Sequence, residues 1–239
     1  MPKLLFLDLE TSGLEEKDRL CELGLILEDK GTIKTYSSLC KSDKKINNEA
    51  MSLHHITNEA LKEAPKCDRS EPYTYLEEHN NEETVFISHN IKFTLDMLAK
   101  EGFISKMQHI DTQRCTKALI QECEVFSLQF LRYELLLYKK EESLSTELGI
   151  KLQAHRAKSD VLHVKLLYDS LLEYATLSQL IDISSKPVLL EKFSFGKYKQ
   201  RYIEEISQID RAYLSWMRES LLDLDEDLAY SLDYYLKTV

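Results

Sequence analysis

Apolar and polar positions change their period along the chain, and the changes predict its elements. Leu4 to Leu7 form an unbroken apolar run, the pattern of a buried strand; Gly13 lets the backbone turn shortly after it. Glu22 to Leu27 and Thr32 to Leu39 read as two further strands, with Asp29-Lys30-Gly31 as the turn. Three early strands predict an antiparallel meander. Residues 46–64 read as helical with an interruption at Ile56-Thr57, where Thr57 is a candidate N-cap for the segment carrying Ala60 and Leu61. Ser70 can cap a helix reaching Leu76, with Pro72 in its first turn.

From there strand and helix patterns alternate. A compact apolar strand spans Thr84 to Ser88, and a helix is predicted over 94–100. A short strand at Gln108 to Asp111 precedes helices over 112–121 and, behind Ser127, over 128–136. Alternation of this kind predicts an α/β sandwich with parallel strands. The clearest helical period runs over 156–174, where Ala157, Val161, Val164, Leu167, Leu171 and Ala175 keep the three-four spacing of one buried face. Ser184-Ser185-Lys186-Pro187 reads as a linker, so the chain divides into 1–184 and a small module, 188–239. That module is predicted as α+β: two short strands around Gly196, then helices near 212–221 and 227–236. A unit of that size is marginal alone and is expected to dock on the first domain.

Composition narrows the class. Hydrophobic content of 43% and charged content of 30% suit a soluble globular chain, and no apolar run approaches the ~18 residues of a membrane span. The start of the chain lacks the pattern of a signal peptide. The five cysteines, Cys21, Cys40, Cys67, Cys115 and Cys123, are odd in number and scattered, which predicts reduced thiols in a cytoplasmic protein. A net charge of −10 excludes nucleic-acid binding by bulk attraction; contact would need local basic groups or cations screening the carboxylates.

Side chains alternate across a strand, so Asp8 and Glu10 share a face. Two carboxylates there repel unless something positive sits between them, and a divalent cation is the natural occupant. A third carboxylate, Asp160, lies beside the apolar stripe of the long helix, with His155 at that helix's N-terminal edge. A carboxylate in such a place is costly unless paired or metal-bound.

Three segments in order, Asp8-x-Glu10, Ser88-His89-Asn90-Ile91-Lys92-Phe93 and His155-x-Ala157-x-x-Asp160, resemble the DEDDh family of 3′–5′ exonucleases. Met51-Ser52-Leu53-His54-His55-Ile56-Thr57 is similar to the family's His-Gly-Ile-Thr segment, with His55 in the glycine's place. The resemblance covers most of residues 1–180. It implies an RNase H-like fold, a mixed five-stranded sheet flanked by helices. It also implies a reaction in which two divalent ions, Mg²⁺ or Mn²⁺ about 4 Å apart, clamp the attacking and leaving oxygens. Asp8 would bridge the ions, Glu10 and Asp160 would hold the one that activates water, and His155 would be the general base. Thr11, Leu14, His55, Ile56 and Thr57 would line the 3′-terminal nucleotide, and Asn90 would steady the second segment. The family's second segment continues Phe-Asp, whereas Thr94 follows Phe93 here. Asp96 lies two positions on, about 200° around a helix, and does not replace that aspartate.

In the tail, Phe193-Ser194-Phe195-Gly196-Lys197-Tyr198-Lys199-Gln200-Arg201, followed by Tyr213-Leu214-Ser215-Trp216, resembles the C-terminal module of exonuclease X-like proteins. Lys197 and Lys199 are its candidate backbone contacts. The expectation is a metal-dependent 3′–5′ exodeoxyribonuclease that releases nucleoside 5′-monophosphates from DNA 3′ ends, with polymerase or repair proteins as further partners and no membrane. Two alternatives stand beside it: a non-catalytic nucleic-acid or polymerase-binding module, motivated by Thr94, and an RNA-trimming exoribonuclease.

Overall fold

The computed structural model describes residues 2–221 and 224–238. Its centre is a five-stranded sheet: β1 (Lys3–Thr11), β2 (Leu20–Asp29), β3 (Thr32–Leu39), β4 (Thr84–Ser88) and β5 (Gln108–Asp111), in the order β3-β2-β1-β4-β5. β1, β2 and β3 form the predicted antiparallel meander, while β4 and β5 add parallel to β1, so the sheet is mixed.

Helices follow in chain order: α1 (Asn48–His54), α2 (Glu71–Glu78), α3 (Ile91–Ala99), α4 (Thr112–Leu119), α5 (Leu128–Glu134), α6 (Tyr138–Leu148), α7 (Ala157–Leu171) and α8 (Leu177–Ser184). The module adds α9 (Ile203–Ile209), α10 (Arg211–Ser220) and α11 (Glu226–Thr238). Strand alternation explains the layers. On one sheet face Phe6, Ile26 and Ile87 pack with Val161, Val164 and Leu167 of α7; on the other, Leu5, Leu7 and Phe86 pack with Leu76 of α2 and Leu98 of α3. Asp8 and Glu10 fall in alternation with Phe6, on the α7 side.

Several expectations need correction. Residues 57–64 are not helical: Ala60, Lys62 and Ala64 donate to carbonyls three residues back, and Pro65 disfavours helix at the residue before it. Ser70 does precede α2, but its hydroxyl donates backward to Cys67 O at 2.7 Å and caps nothing forward. α3 begins at Ile91, three residues earlier than expected. The sequence pattern of α6 is weak, because the face that packs on the core alternates Leu137, Leu144 and Leu148 with buried Glu141 and Ser145. α8 does carry a signal: Thr176 and Gln179 form a reciprocal capping box.

The tail module is helical among the described residues, not α+β. Instead of two strands around Gly196, a single bridge joins Lys192 to Tyr202. The intervening chain closes in tight turns, with Gly196 and Gln200 both at positive φ. The module keeps its own core of Phe193, Ile203, Ile206, Leu214, Met217, Leu228 and Leu232. It docks through Asp227, which is buried and accepts from Arg114 Nε (3.1 Å), Lys117 Nζ (3.0 Å) and Val188 N (3.0 Å).

Candidate active site

Asp8 and Glu10 project from the end of β1, and Asp160 reaches them from the first turn of α7. One ligand oxygen from each lies within 4.8 Å of the others. Two neighbours on β2 bring α7 so close. Gly24 pairs with Asp8 and Glu22 pairs with Glu10. Glu22 is buried and accepts from Arg156 Nε (3.0 Å) and Nη2 (2.7 Å) and from Ala157 N (2.9 Å), which ties down the N-terminus of α7. Gly24 leaves the space: a Cβ there would stand 2.2 Å from Ala157 O.

The arrangement is electrostatically unfavourable without a cation. Burial, then the charges of Asp160, Glu10 and Glu22, pushes the Asp8 carboxyl well above its usual value. Burial and the charges of Asp160 and Glu22 push Glu10 up to about 8. An oxygen-lined cluster of this kind fits a hard divalent ion, whose charge would offset that repulsion.

His155 is exposed, with its backbone at φ 56° and its amide donating to Asp160 Oδ2 at 3.1 Å. Its side chain lines a cleft with Glu10, Thr11, Leu14, Leu53, His54 and Phe93. Leu14 is 85% exposed where it lines the cleft. Thr11 Oγ1 donates to Gly13 O at 2.8 Å.

The other sequence candidates sit elsewhere. Ile56 is buried in a small core with Cys21 and Leu61, and neither His55 nor Thr57 lines the cleft. His55 occupies the left-handed region at φ 58°, a conformation that glycine adopts most readily. The neighbouring His54 takes the inner position. Its Nδ1 accepts from Ile56 N (3.0 Å), so Nε2–H donates to Thr11 O (3.2 Å), and burial lowers its pKa. Asn90 contributes backbone: its amide and that of Ile91 donate to Asp111 at 3.1 Å each. Thr94 is buried, its hydroxyl 2.8 Å from Ser88 Oγ. Asp96 is exposed and paired with Lys92, away from the cluster. In the module Lys197 is paired with Asp210 at 2.9 Å, while Lys199 is exposed.

Sequence reasoning missed the groups behind Asp160. Gln129 Nε2 donates to its Oδ1 at 2.7 Å, and buried His163 stands between it and Glu141. His163 lies three residues after Asp160 on an otherwise apolar face, and that spacing was the available signal.

Residues 5–168 match the model of the family described as Exonuclease. The chain belongs to this exonuclease family. Residues 193–220 match the family described as Exodeoxyribonuclease X-like C-terminal. Over 237 residues the exonuclease is 24% identical to Exodeoxyribonuclease 10 of Escherichia coli strain K12, covering 98% of this chain and 99% of that one. It is 27% identical over 157 residues to DNA polymerase III subunit epsilon of Treponema pallidum, covering 64% of this chain and 68% of that one. Among solved structures, exonuclease X in complex with 5′ overhanging duplex DNA matches 76% of this chain and 99% of its own at a TM-score of 0.56 and 20% identity. The zinc-bound E. coli exonuclease I–single-stranded DNA complex matches 76% and 42% at 0.54 and 17%. These structures share the fold, a mixed sheet flanked by helices. Among the described residues no helix is long and apolar enough to cross a membrane.

Proposed function

We propose that this exonuclease is a 3′–5′ exodeoxyribonuclease that uses Mg²⁺ or Mn²⁺ and releases nucleoside 5′-monophosphates. The observation that carries the reading is the convergence of Asp8, Glu10 and Asp160 within 4.8 Å, next to a cleft that Glu10 and His155 line. The full-length similarity to an exodeoxyribonuclease supports DNA as substrate, and the similarity to a polymerase subunit supports polymerase or repair partners. The five buried thiols suit a reducing, cytoplasmic setting. The separate core of the tail supports two units, 1–184 and 188–239.

Asp8, Glu10 and Asp160 would hold the cations, which when bound polarise the phosphate and stabilise the leaving 3′-oxygen. The chain's own groups do the rest. His155, exposed beside Glu10, takes a proton from the attacking water as its oxygen bonds to phosphorus and the P–O3′ bond breaks. The oxygen that leaves takes a proton from solvent water to become the 3′-hydroxyl of the shortened strand, and His155 returns its proton to solvent. Leu14 and Thr11 place the terminal nucleotide, the leucine against its base and the threonine near its sugar. Asp8, Glu10, His155 and Asp160 are therefore the proposed catalytic set, and Lys199 a backbone contact in the tail.

A second reading rests on Thr94. Its hydroxyl is engaged by Ser88 and brings no negative charge, which favours a weak second ion site and a protein that holds DNA with little cleavage. The test is degradation of 3′-labelled single-stranded DNA and RNA of one sequence, in Mg²⁺ and in Mn²⁺, by the parent and by Asp8→Asn. Metal-dependent loss of label from DNA, abolished by Asp8→Asn, supports the enzyme. Faster loss from RNA makes it a trimming exoribonuclease. Tight DNA binding with no cleavage in either metal makes it a binding module.

A further inference from the structure

Asp160 is held from behind by side chains that belong to no recognised motif of the chain. Gln129, on α5, donates Nε2–H to Asp160 Oδ1 at 2.7 Å. An amide could flip and present oxygen instead, but Arg132 prevents it: Nη1 donates to Gln129 Oε1 at 3.3 Å, so the NH₂ faces Asp160. Arg132 is itself fixed by two 2.6 Å hydrogen bonds to Glu141 on α6. Glu141 Oε2 lies 3.0 Å from His163 Nε2, and His163 Nδ1 lies 3.4 Å from Asp160 Oδ1, so the chain of contacts closes on itself. Burial opposes ionisation of Glu141, yet hydrogen bonds from Arg132 and His163 hold its carboxyl below the usual range.

The position of this ring is informative. His163 is fully buried and Glu141 nearly so, and both stand where apolar side chains would serve stability as well or better. What an apolar replacement cannot do is fix one rotamer of a neighbouring carboxylate. The second oxygen of Asp160 receives the His155 amide at 3.1 Å, so both oxygens are held from the protein side. Side chains of α5 and α6 thereby bear on the Asp8–Glu10–Asp160 cluster through the Asp160 carboxylate.

We propose that Gln129, oriented by Arg132 and Glu141, is a positioning residue that presets the Asp160 carboxylate for a divalent cation. The inference rests on the metal-site reading above. Gln129 touches neither substrate nor the reacting atoms.

The experiment is calorimetric titration of the full chain with Mn²⁺, alongside thermal unfolding in chelator and the KM-against-kcat split on a 3′-labelled oligonucleotide. The variants are Gln129→Leu, Gln129→Glu and Arg132→Lys. Gln129→Leu keeps the size and loses the donor; it should weaken Mn²⁺ about 10–100-fold, the usual effect of removing an outer partner of a metal ligand, with kcat falling and KM little changed. Arg132→Lys frees the amide to flip and should give a smaller loss of the same kind. If Gln129→Leu unfolds, Arg132→Lys and Gln129→Glu carry the test. Gln129→Glu sets a carboxylate against Asp160 and should weaken Mn²⁺ binding. Unchanged Mn²⁺ affinity in folded variants, or tighter binding by Gln129→Glu, overturns the positioning role and leaves the metal site standing. A parent that binds no Mn²⁺ overturns the metal-site reading itself.

Discussion

Gly24 lies opposite Asp8 in the β1–β2 ladder, and a Cβ on it would stand 2.2 Å from the carbonyl oxygen of Ala157. The absent side chain sets how near the start of α7 comes to the sheet, and through that how near Asp160 comes to Asp8. Gly24→Ala must push α7 outward, because the obstacle is backbone. The expected cost is about 1–3 kcal/mol in unfolding free energy, typical of overpacking. Displacing one carboxylate should also cost ~10²-fold in cleavage. Denaturant unfolding and initial rates on labelled DNA check both, and a fully active variant would mean that the α7 start has slack.

Part of this was legible in the sequence and part was not, for identifiable reasons. The meander and α7 carry clear patterns and β4 an unbroken apolar run; these and the four-residue β5 lie near where the sequence puts them. Asp8, Glu10 and Asp160 were recognisable because carboxylates on a buried face need an explanation. Gly24 carried no such signal: an isolated glycine in a strand says that something approaches, not what. The choice between His54 and His55 turned on one backbone angle, since φ 58° at His55 turns the inner position over to His54. The Gln129–Arg132–Glu141 contacts join side chains on two helices, α5 and α6, and nothing local in the sequence links them. Around Gly196 the aromatic residues imitated a hairpin, but Phe193 packs inward among the helices of the module while Phe195 is exposed.

The crowded carboxylates predict a pH dependence of stability in the absence of metal. Burial, with the charges of Asp160 and Glu22, raises Glu10 from 4.5 to about 8 in the folded protein. The folded state therefore binds a proton more tightly than the unfolded one between those values. Stability then falls as pH rises across that window, since the unfolded state binds fewer protons there. Asp8 is shifted in the same direction. In chelator the unfolding midpoint should drop by several degrees between pH 5 and pH 8.5. Mn²⁺ should raise the midpoint strongly at pH 8.5 and little at pH 5, because only the ionised carboxylates reward a cation. Equal stabilisation at both values would mean that the ion binds elsewhere.

In the tail the two lysines should separate. Lys197 is already neutralised by Asp210 and lies over the Tyr198 ring, with its Nζ 4.6 Å from the ring centroid. Lys199 is exposed and makes no ion pair among the described residues. Lys199→Ala should lower the slope of log Kd against log salt by about 1 for a DNA oligonucleotide, and Lys197→Ala should change it less. Fluorescence anisotropy at several salt concentrations reads both. Identical slopes in parent and both variants would make the tail a structural cap or a protein-docking element.

Thr94 offers the sharpest comparison. It occupies the first turn of α3, next to Phe93, which lines the cleft, and the DEDDh pattern has an aspartate there. In this chain the threonine is buried and its hydroxyl is 2.8 Å from Ser88 Oγ, so the position is neutral and internally satisfied. Thr94→Asp is nearly the same size and leaves Ser88 as a donor to the new carboxylate. In chelator the variant should be less stable than the parent, because a fourth buried carboxylate joins three that already repel. Mn²⁺ should reverse that order. Cleavage of 3′-labelled single-stranded DNA should rise, by about 10–100-fold if the carboxylate acts from the outer shell and by more if it reaches the ion. These two effects are independent readouts. A stability loss that Mn²⁺ does not reverse would show that the side chain at this position faces away from the cation site. A parent that already cleaves rapidly, with no gain in the variant, would show that Asp8, Glu10 and Asp160 suffice without a fourth acid.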